Sequence, residues 1–280
     1  MLINFRIMAM NEEGGYLGAM TYQCLYSGVL DRIVQNHRND DSAVRMIQRL
    51  RNTLRQADVS SPSFLFDFTK ILLIDSELNV NLQEAFLRMQ ANAATDDLEL
   101  PNLRQGEYQQ LSSRLDLIYN DCTVLSTVRN IKSLAQSKQF SLIEHFTHDV
   151  YVTISNLVMK EKAVALRRVL ARVPDEMSDR RTFLETIKEI ASSIKKLLDA
   201  TNALMQVIHP SVQLSVEKRK REFVHCSKRF SNTLKEYFKD QNATQVSISA
   251  NQLIFQTALL IRTIREKMRK VSIEIFYENI

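Results

Sequence analysis

The scarcity of helix-breaking residues is the feature that most limits how this chain folds. Its 280 residues include five glycines and four prolines, and no glycine follows Gly106. Because glycine and proline end most helices and shape most tight turns, such a chain is built most readily from helices joined by short polar loops. Hydrophobic residues make up 45% of the sequence and charged residues 25%, as in folded proteins. We therefore expect an all-α fold.

Cysteine usage and charge indicate the compartment and the kind of partner. Cys24, Cys122 and Cys226 are widely spaced and odd in number, which argues against a disulfide framework and favours a reducing compartment. No apolar run approaches the ~20 residues that span a bilayer, so we expect a cytoplasmic protein. Residues 1–155 carry 14 basic and 18 acidic side chains, whereas residues 156–280 carry 23 and 14. The C-terminal half therefore has a net charge of 23 − 14 = +9 and should prefer acidic partners.

The N-terminal region, residues 1–92, has the pattern of several short helices. Helix starts are indicated by Asp40 or Asp41, by Ser61 before a proline, and by Asn81 with a glutamate three residues later. These segments are rich in leucine, isoleucine and phenylalanine, and short helices are marginally stable alone. We interpret this region as a helical dimerisation domain.

The rest of the chain divides into a connecting region and a bundle. Residues 93–155 are interpreted as a linker and an unusual helical insertion. They comprise an acidic stretch over 93–110, helical spacing over 111–137, and a stretch around 140–157 that is compatible with helix or strand. Residues 156–280 are predicted to form a four-helix bundle with a C-terminal extension, because short connections join four amphipathic segments. These segments are 156–172, 175–208, 212–240 and 248–270.

The second of these segments has an apolar strip beside its core face. At ~100° per residue the core face consists of Phe183, Ile187, Ile190, Ile194 and Leu197. Leu184, Ala191 and Leu198 form the edge strip, seven residues apart. Lys188 and Lys195 lie immediately beyond it.

The third segment repeats this arrangement. Its core face consists of Phe223, Phe230, Leu234 and Tyr237. Val224, Ser231 and Phe238 form the edge strip, with Lys228 and Lys235 beside it. Two interpretations stay open. The strips form a shallow apolar groove with a cationic rim, suited to a helix bearing leucines and acidic residues, or the lysines merely flank a core face and cover it with their stems.

Three stretches carry a family resemblance: VPDEMSDRRTFLETIKEIASSIKKLLDATNALM, KREFVHCSKRFSNTLKEYFKD and VSISANQLIFQTALL. They resemble the programmed cell death protein 10 family, also called the cerebral cavernous malformation 3 family, over about 160–263. A weaker resemblance covers about 20–89 and includes LNVNLQEAFLRM. The resemblance implies a helical dimerisation domain followed by a four-helix bundle like that of focal-adhesion-targeting domains.

The resemblance also implies partners and site residues. The N-terminal domain of such proteins pairs with itself, or with the tail of germinal-centre class III protein kinases. The bundle binds leucine–aspartate helices such as those of paxillin and malcavernin and contacts striatin, at the Golgi and at plasma-membrane junctions. The implied groove comprises Leu184, Lys188, Ala191, Lys195, Leu198, Val224, Lys228, Ser231 and Lys235. The implied dimer contacts are Leu50, Thr53, Leu72 and Leu73. Thr53 stands where the family has alanine, and 93–155 is longer than the family's connector.

Other functional classes find little support in the sequence. No glycine-rich phosphate loop, nucleophile elbow or HExxH motif is present, so we expect neither an enzyme nor a cofactor. His145 and His148 are too few for a zinc site, which needs three or four ligands. The aromatic residues of the helix that carries the basic cluster at 217–222 fall on its core face, and no nucleic-acid motif is visible, so we expect no nucleic-acid partner. An ordinary solvated face stays open for this cluster. Binding of phosphoinositides by the basic bundle is the alternative function.

Overall fold

The computed structural model describes the backbone of residues 15–92, 141–206 and 208–278, and side chains within 15–90, 158–206 and 208–268. Every element in these ranges is helical, which confirms the all-α prediction. The N-terminal elements are α1 (Gly15–Thr21), a π-helical turn (Tyr22–Ser27), α2 (Gly28–Asn36), α3 (Asp41–Ser60), α4 (Phe64–Asp75) and α5 (Leu82–Asn92). The bundle helices are α6 (Ser141–Glu176), α7 (Arg180–Met205), α8 (Pro210–Asp240) and α9 (Ala243–Glu278).

The caps of the N-terminal helices follow the sequence signals with one exception. The Asp40 carboxylate accepts hydrogen bonds from the backbone N–H groups of Ser42 and Ala43, and so begins α3. Asn81 caps α5 and donates its side-chain amide to Glu84 at 2.9 Å.

The prediction that Ser61 caps α4 is wrong. The helix begins at Phe64, after Ser63, whose φ of 72° lies in the left-handed region. Ser61 instead accepts a turn hydrogen bond from the Phe64 N–H. The next N–H, that of Leu65, is bound by the buried carboxylate of Asp58, which fixes the start of α4.

The four-helix bundle begins earlier in the chain than its periodicity indicated. Residues 141–155, which left helix and strand open, lie in α6. Pro174 lies in the last turn of α6, and Pro210 is the first residue of α8, where its missing N–H costs nothing. Helix α6 runs through the proposed boundary between residues 155 and 156, and the three-part division of the chain stays a prediction.

The bundle core is built from both predicted core faces. Phe183, Ile190 and Leu197 of α7 are at most 2% exposed, and so are Phe223 and Phe230 of α8. Burying each such side chain contributes ~1.5–3 kcal/mol. Helix α6 packs against α7 and α9, and α8 packs against α9, whereas α7 and α8 approach each other less closely. The α7–α8 side is therefore the most open side of the bundle.

Helix α5 packs against the opposite side of the bundle, across α6 and α9. Its Phe86 and Leu87 are fully buried. The buried amide of Asn251 in α9 donates to the Gln83 backbone oxygen at 2.8 Å and to the Gln83 side chain at 2.9 Å. Helix α1 also contacts α9. The N-terminal helices thus cover the α6–α9 side and leave the α7–α8 side exposed.

None of the helices in the described ranges combines the length and the apolar character that crossing a membrane would require.

Candidate functional site

The outer strip of α7 is exposed beside its buried core face. Leu184 is 41% exposed, Ala191 is exposed, and Leu198 is half-buried against the core. Lys188 and Lys195 are both exposed. Helix α7 therefore presents apolar surface to solvent along about two heptads, edged by two lysines.

The outer strip of α8 has the same composition. Val224 is half-buried, Ser231 is exposed, and Phe238 is 42% exposed. Lys228 and Lys235 are exposed beside it. Each strip has a small residue at its centre, Ala191 or Ser231, between two larger ones.

Contacts at both ends of the strips fix how α7 and α8 lie against each other. At one end, the Phe183 and Phe238 rings lie 5.8 Å apart between centroids. At the other end, the Lys220 ammonium group donates to the Asn202 side chain at 3.1 Å. Ala191 lies eleven residues before Asn202, and Ser231 lies eleven residues after Lys220.

The two small residues are therefore level across an antiparallel pair of helices. By the same kind of count, Lys188 and Lys235 lie within one residue of the same level, and so do Lys195 and Lys228. All nine predicted groove residues lie on α7 and α8 and none of them is buried, and that they form one docking surface stays a prediction. The two strips lie between the contacts at their ends, and we call this surface the α7–α8 groove.

The four lysines of the rim have no internal partner in the described structure. None of their ammonium groups forms an ion pair or a hydrogen bond with a described residue. Four unpaired cations at two levels create a positive potential along the groove, which attracts acidic partners and raises association rates.

Polar contacts join α7 to α6 at Glu189 and Thr186. The Arg172 guanidinium on α6 binds both Glu176 and Glu189, each at 2.8 Å, and the buried Thr186 hydroxyl donates to Glu176. Although burial of Glu176 favours its protonated form, the hydrogen bonds from Arg172 and Thr186 hold its pKa below the usual value. These contacts add to the packing of α6 against α7.

The second predicted site is an apolar face on α3 and α4. Leu50 and Leu72 are 44% and 46% exposed, Thr53 is exposed, and Leu73 is half-buried against the core. Leu50, Thr53 and Leu72 are thus accessible to a partner. Leu73 supports the face from beneath.

This face is larger than the four predicted contacts. Sequence reasoning missed exposed apolar residues on the same two helices: Met46, Phe64, Phe68, Ile71 and Ile74. The Phe64 and Phe68 rings stack 5.9 Å apart. Their spacing of four residues, continued at Ile71, was the signal for a second apolar face on α4. An exposed apolar surface of this kind is typical of an interaction site.

Among the described residues, the basic cluster at 217–222 and Cys226 are the other features that the sequence singled out. Within 217–222, Glu217 binds Lys220 at 2.7 Å and Arg221 at 3.1 Å, and Arg219 binds Glu222 at 2.8 Å, so three of the four basic side chains are paired within the cluster. Burial raises the pKa of Cys226 to about 11, which leaves it protonated.

Metal-binding groups are not evident in the part of the chain that the structure describes. There, no three histidine, cysteine or acidic side chains are placed to hold a metal ion. His145 and His148 lie outside the described side chains.

Comparison with known proteins agrees with the sequence resemblance. Residues 14–79 match the family model for the programmed cell death protein 10 dimerisation domain, and residues 143–223 match the model for the C-terminal part of that protein. The programmed cell death protein 10 homolog of Caenorhabditis elegans is 51% identical over 262 residues, covering 93% of this chain and 100% of the relative. The dimerisation-domain match supports a dimerising adaptor. This chain belongs to the programmed cell death protein 10 family.

Proposed function

We propose that this protein is a non-catalytic adaptor that holds two kinds of partner at once. Its N-terminal apolar face pairs with the tail of a germinal-centre class III protein kinase, or with a second copy of the chain when the kinase is absent. Its α7–α8 groove docks amphipathic leucine–aspartate helices. The observation that carries the proposal is that the strips of α7 and α8 are exposed or half-buried beside four exposed lysines that have no partner among the described residues.

The chemistry of the groove suits a short helix with leucines on one face and acidic residues at its edges. Each buried leucine contributes ~1.5–3 kcal/mol, whereas an exposed ion pair contributes ~0–1 kcal/mol. Association itself costs on the order of 4–15 kcal/mol. Leucine burial therefore supplies most of the affinity, and the lysines set register and encounter rate. We expect a Kd on the order of micromolar.

The placement of the two surfaces suits an adaptor. The α3–α4 face belongs to the N-terminal helices, which contact the bundle on its α6–α9 side. The groove lies on the α7–α8 side, so a partner at one surface leaves the other accessible. By family resemblance, paxillin or malcavernin-type helices and striatin are the partners of the bundle. Such an adaptor brings a kinase to Golgi or junctional complexes.

Charge reversal across the groove tests the docking proposal. The variant Lys188→Glu with Lys235→Glu changes two facing rim residues that are exposed, so the fold should be unaffected. A matched control, Lys196→Glu with Lys218→Glu, makes the same charge change at exposed positions about 140° from the centres of the strips. The probe is a fluorescein-labelled helical peptide with leucines at i, i+3, i+4 and i+7 and flanking aspartates, followed by fluorescence anisotropy.

We expect the groove variant to lose peptide binding and the control to keep most of it. Equal binding by both variants and the unaltered protein would refute docking in the groove. Flotation with phosphatidylcholine vesicles, with and without a phosphoinositide, tests the lipid alternative, because the unpaired lysines also suit anionic headgroups. Phosphoinositide-dependent flotation without peptide binding would replace the adaptor proposal with the membrane one.

A further inference from the structure

The turn between α3 and α4 contains a serine hydroxyl that the fold itself does not use. Ser61 directly follows the last residue of α3 and is exposed. Its backbone is engaged, since its N–H donates to the Ala57 oxygen at 2.8 Å and its carbonyl accepts the Phe64 N–H at 3.0 Å. Its side-chain hydroxyl, which the sequence predicted to cap α4, forms no hydrogen bond with a described residue. This hydroxyl is therefore accessible from solvent and available for reaction.

The backbone at Ser61 is held extended by the residue after it. A proline clashes with the helical conformation of the residue before it, so that residue is restricted to the extended region. Ser61 has a φ of −130° and a ψ of 92°, and its peptide bond to Pro62 is trans. Pro62 is exposed as well. An exposed serine on an extended segment, followed by a trans proline, is the form of substrate that proline-directed protein kinases bind.

The neighbouring serines differ from Ser61 in conformation or in bonding. Ser60 is also exposed, but it is the last residue of α3 and no proline follows it. Ser63 follows the proline, and its hydroxyl donates to the Asp67 carboxylate at 2.7 Å. Of the four prolines in the whole sequence, Pro62 alone follows a serine or a threonine. The chain thus offers a proline-directed kinase a single acceptor.

We propose that Ser61 is a phosphorylation site for a proline-directed protein kinase, and that its phosphate weakens pairing at the α3–α4 face. In the reaction, the Ser61 hydroxyl oxygen attacks the γ-phosphorus of ATP. The Oγ–P bond forms as the bond from that phosphorus to the β,γ-bridging oxygen breaks, ADP leaves, and the hydroxyl proton passes to the catalytic carboxylate of the kinase. The site stands apart from the proposed function, whereas the effect on pairing rests on it.

A phosphate on Ser61 lies at the edge of the α3–α4 face. Phe64, whose N–H binds the Ser61 carbonyl, is 38% exposed and stacks on Phe68, which is 42% exposed. A partner that covers these two rings would come against a group with a charge of about −1.5 to −2. Such a group binds water strongly, and removing that water costs free energy unless a cation of the partner replaces it. Phosphorylation should therefore oppose pairing.

The turn itself offers the phosphate little compensation for its charge. The first basic residues on either side of Ser61 in the sequence are Arg55 and Lys70, six and nine residues away. The start of α4, where a helix favours negative charge, is already occupied, because the Asp58 carboxylate binds the Leu65 N–H at 3.1 Å. The phosphate would thus add a second acidic group beside a buried carboxylate.

Mass spectrometry of the full-length chain tests the site, after incubation with ATP and, in turn, a mitogen-activated protein kinase and a cyclin-dependent kinase. We expect a phosphate that maps to Ser61 and is lost in Ser61→Ala. Pro62→Ala keeps the hydroxyl but removes the directing proline, so this variant should lose the labelling, whereas the matched control Ser60→Ala should keep it. Absence of phosphate at Ser61 with both kinases, or equal labelling of the unaltered and Pro62→Ala chains, would overturn the site.

Sedimentation velocity then tests the effect on pairing. It compares the phosphorylated chain with Ser61→Ala carried through the same kinase reaction, a control that lacks only the acceptor. We expect phosphorylation to raise the Kd of the dimer at least about tenfold. Equal dimer Kd values would overturn the effect of the phosphate. If neither chain dimerises, the proposed pairing and the effect on it both fail, while labelling at Ser61 still establishes the site.

Discussion

Leu87 provides the sharpest test of how the N-terminal region is attached to the bundle. Its side chain is fully buried where α5 packs on α6 and α9. Truncating a buried leucine to alanine costs about 2–5 kcal/mol through lost burial and a residual cavity. We therefore expect Leu87→Ala to lower the free energy of unfolding by that amount. Met89, on the same helix and 40% exposed, offers a matched control, since Met89→Ala should cost about 0.5 kcal/mol or less.

Urea unfolding of the full chain, followed by circular dichroism, measures both changes. Hydrogen exchange then shows which helices are destabilised. Leu87→Ala should speed exchange in α9 around Asn251, whose side chain binds Gln83 of α5, and should leave the α7 amides around Ile190 protected. Equal stability of the two variants would show that α5 does not pack on the bundle.

Three further predictions concern the N-terminal helices. Burial raises the pKa of Asp58. The hydrogen bond from the Leu65 N–H offsets part of this rise, and the negative charge of Asp67 adds to it. The folded protein therefore holds this proton more tightly than the unfolded chain, and stability falls as the pH rises from about 4 through the raised pKa. Asp58→Asn, which keeps an acceptor for Leu65, should flatten that fall in urea titrations; an unchanged pH dependence would contradict it. A Cβ on Gly18 would overlap the Asp58 carboxylate, so Gly18→Ala should lower the thermal midpoint, and an unchanged midpoint would argue against this packing. Leu50→Asp with Leu72→Asp, at exposed positions, should abolish dimerisation in light scattering and kinase co-purification without unfolding; a persistent dimer would place the interface elsewhere.

The burial pattern of α7 and α8 was predictable from sequence because it depends on spacing within single helices. The 3.6-residue period separates Phe183 and Phe230, which are buried, from Ala191 and Ser231, which are exposed. The long helices of the bundle follow from the same period and from the scarcity of glycine.

Features that depend on contacts between distant residues were not predictable. The hydrogen bond from Asn251 to Gln83 joins residues 168 positions apart, and no local pattern indicates it. The alignment of Ala191 with Ser231 depends on the packing of α7 against α8. The start of α4 was misplaced because a buried carboxylate, Asp58, competes with the local cap signal at Ser61.

The central claim is that the α7–α8 groove docks an amphipathic acidic helix, and methyl NMR of the full-length chain tests it most directly. Alanine methyl labelling places one probe on the groove floor, at exposed Ala191, and another at buried Ala250 in α9. On saturation with the leucine–aspartate peptide, we predict that the Ala191 signal shifts, that Ala250 does not, and that Lys188→Glu with Lys235→Glu abolishes the shift. A bound peptide that leaves the Ala191 signal unmoved would contradict the account.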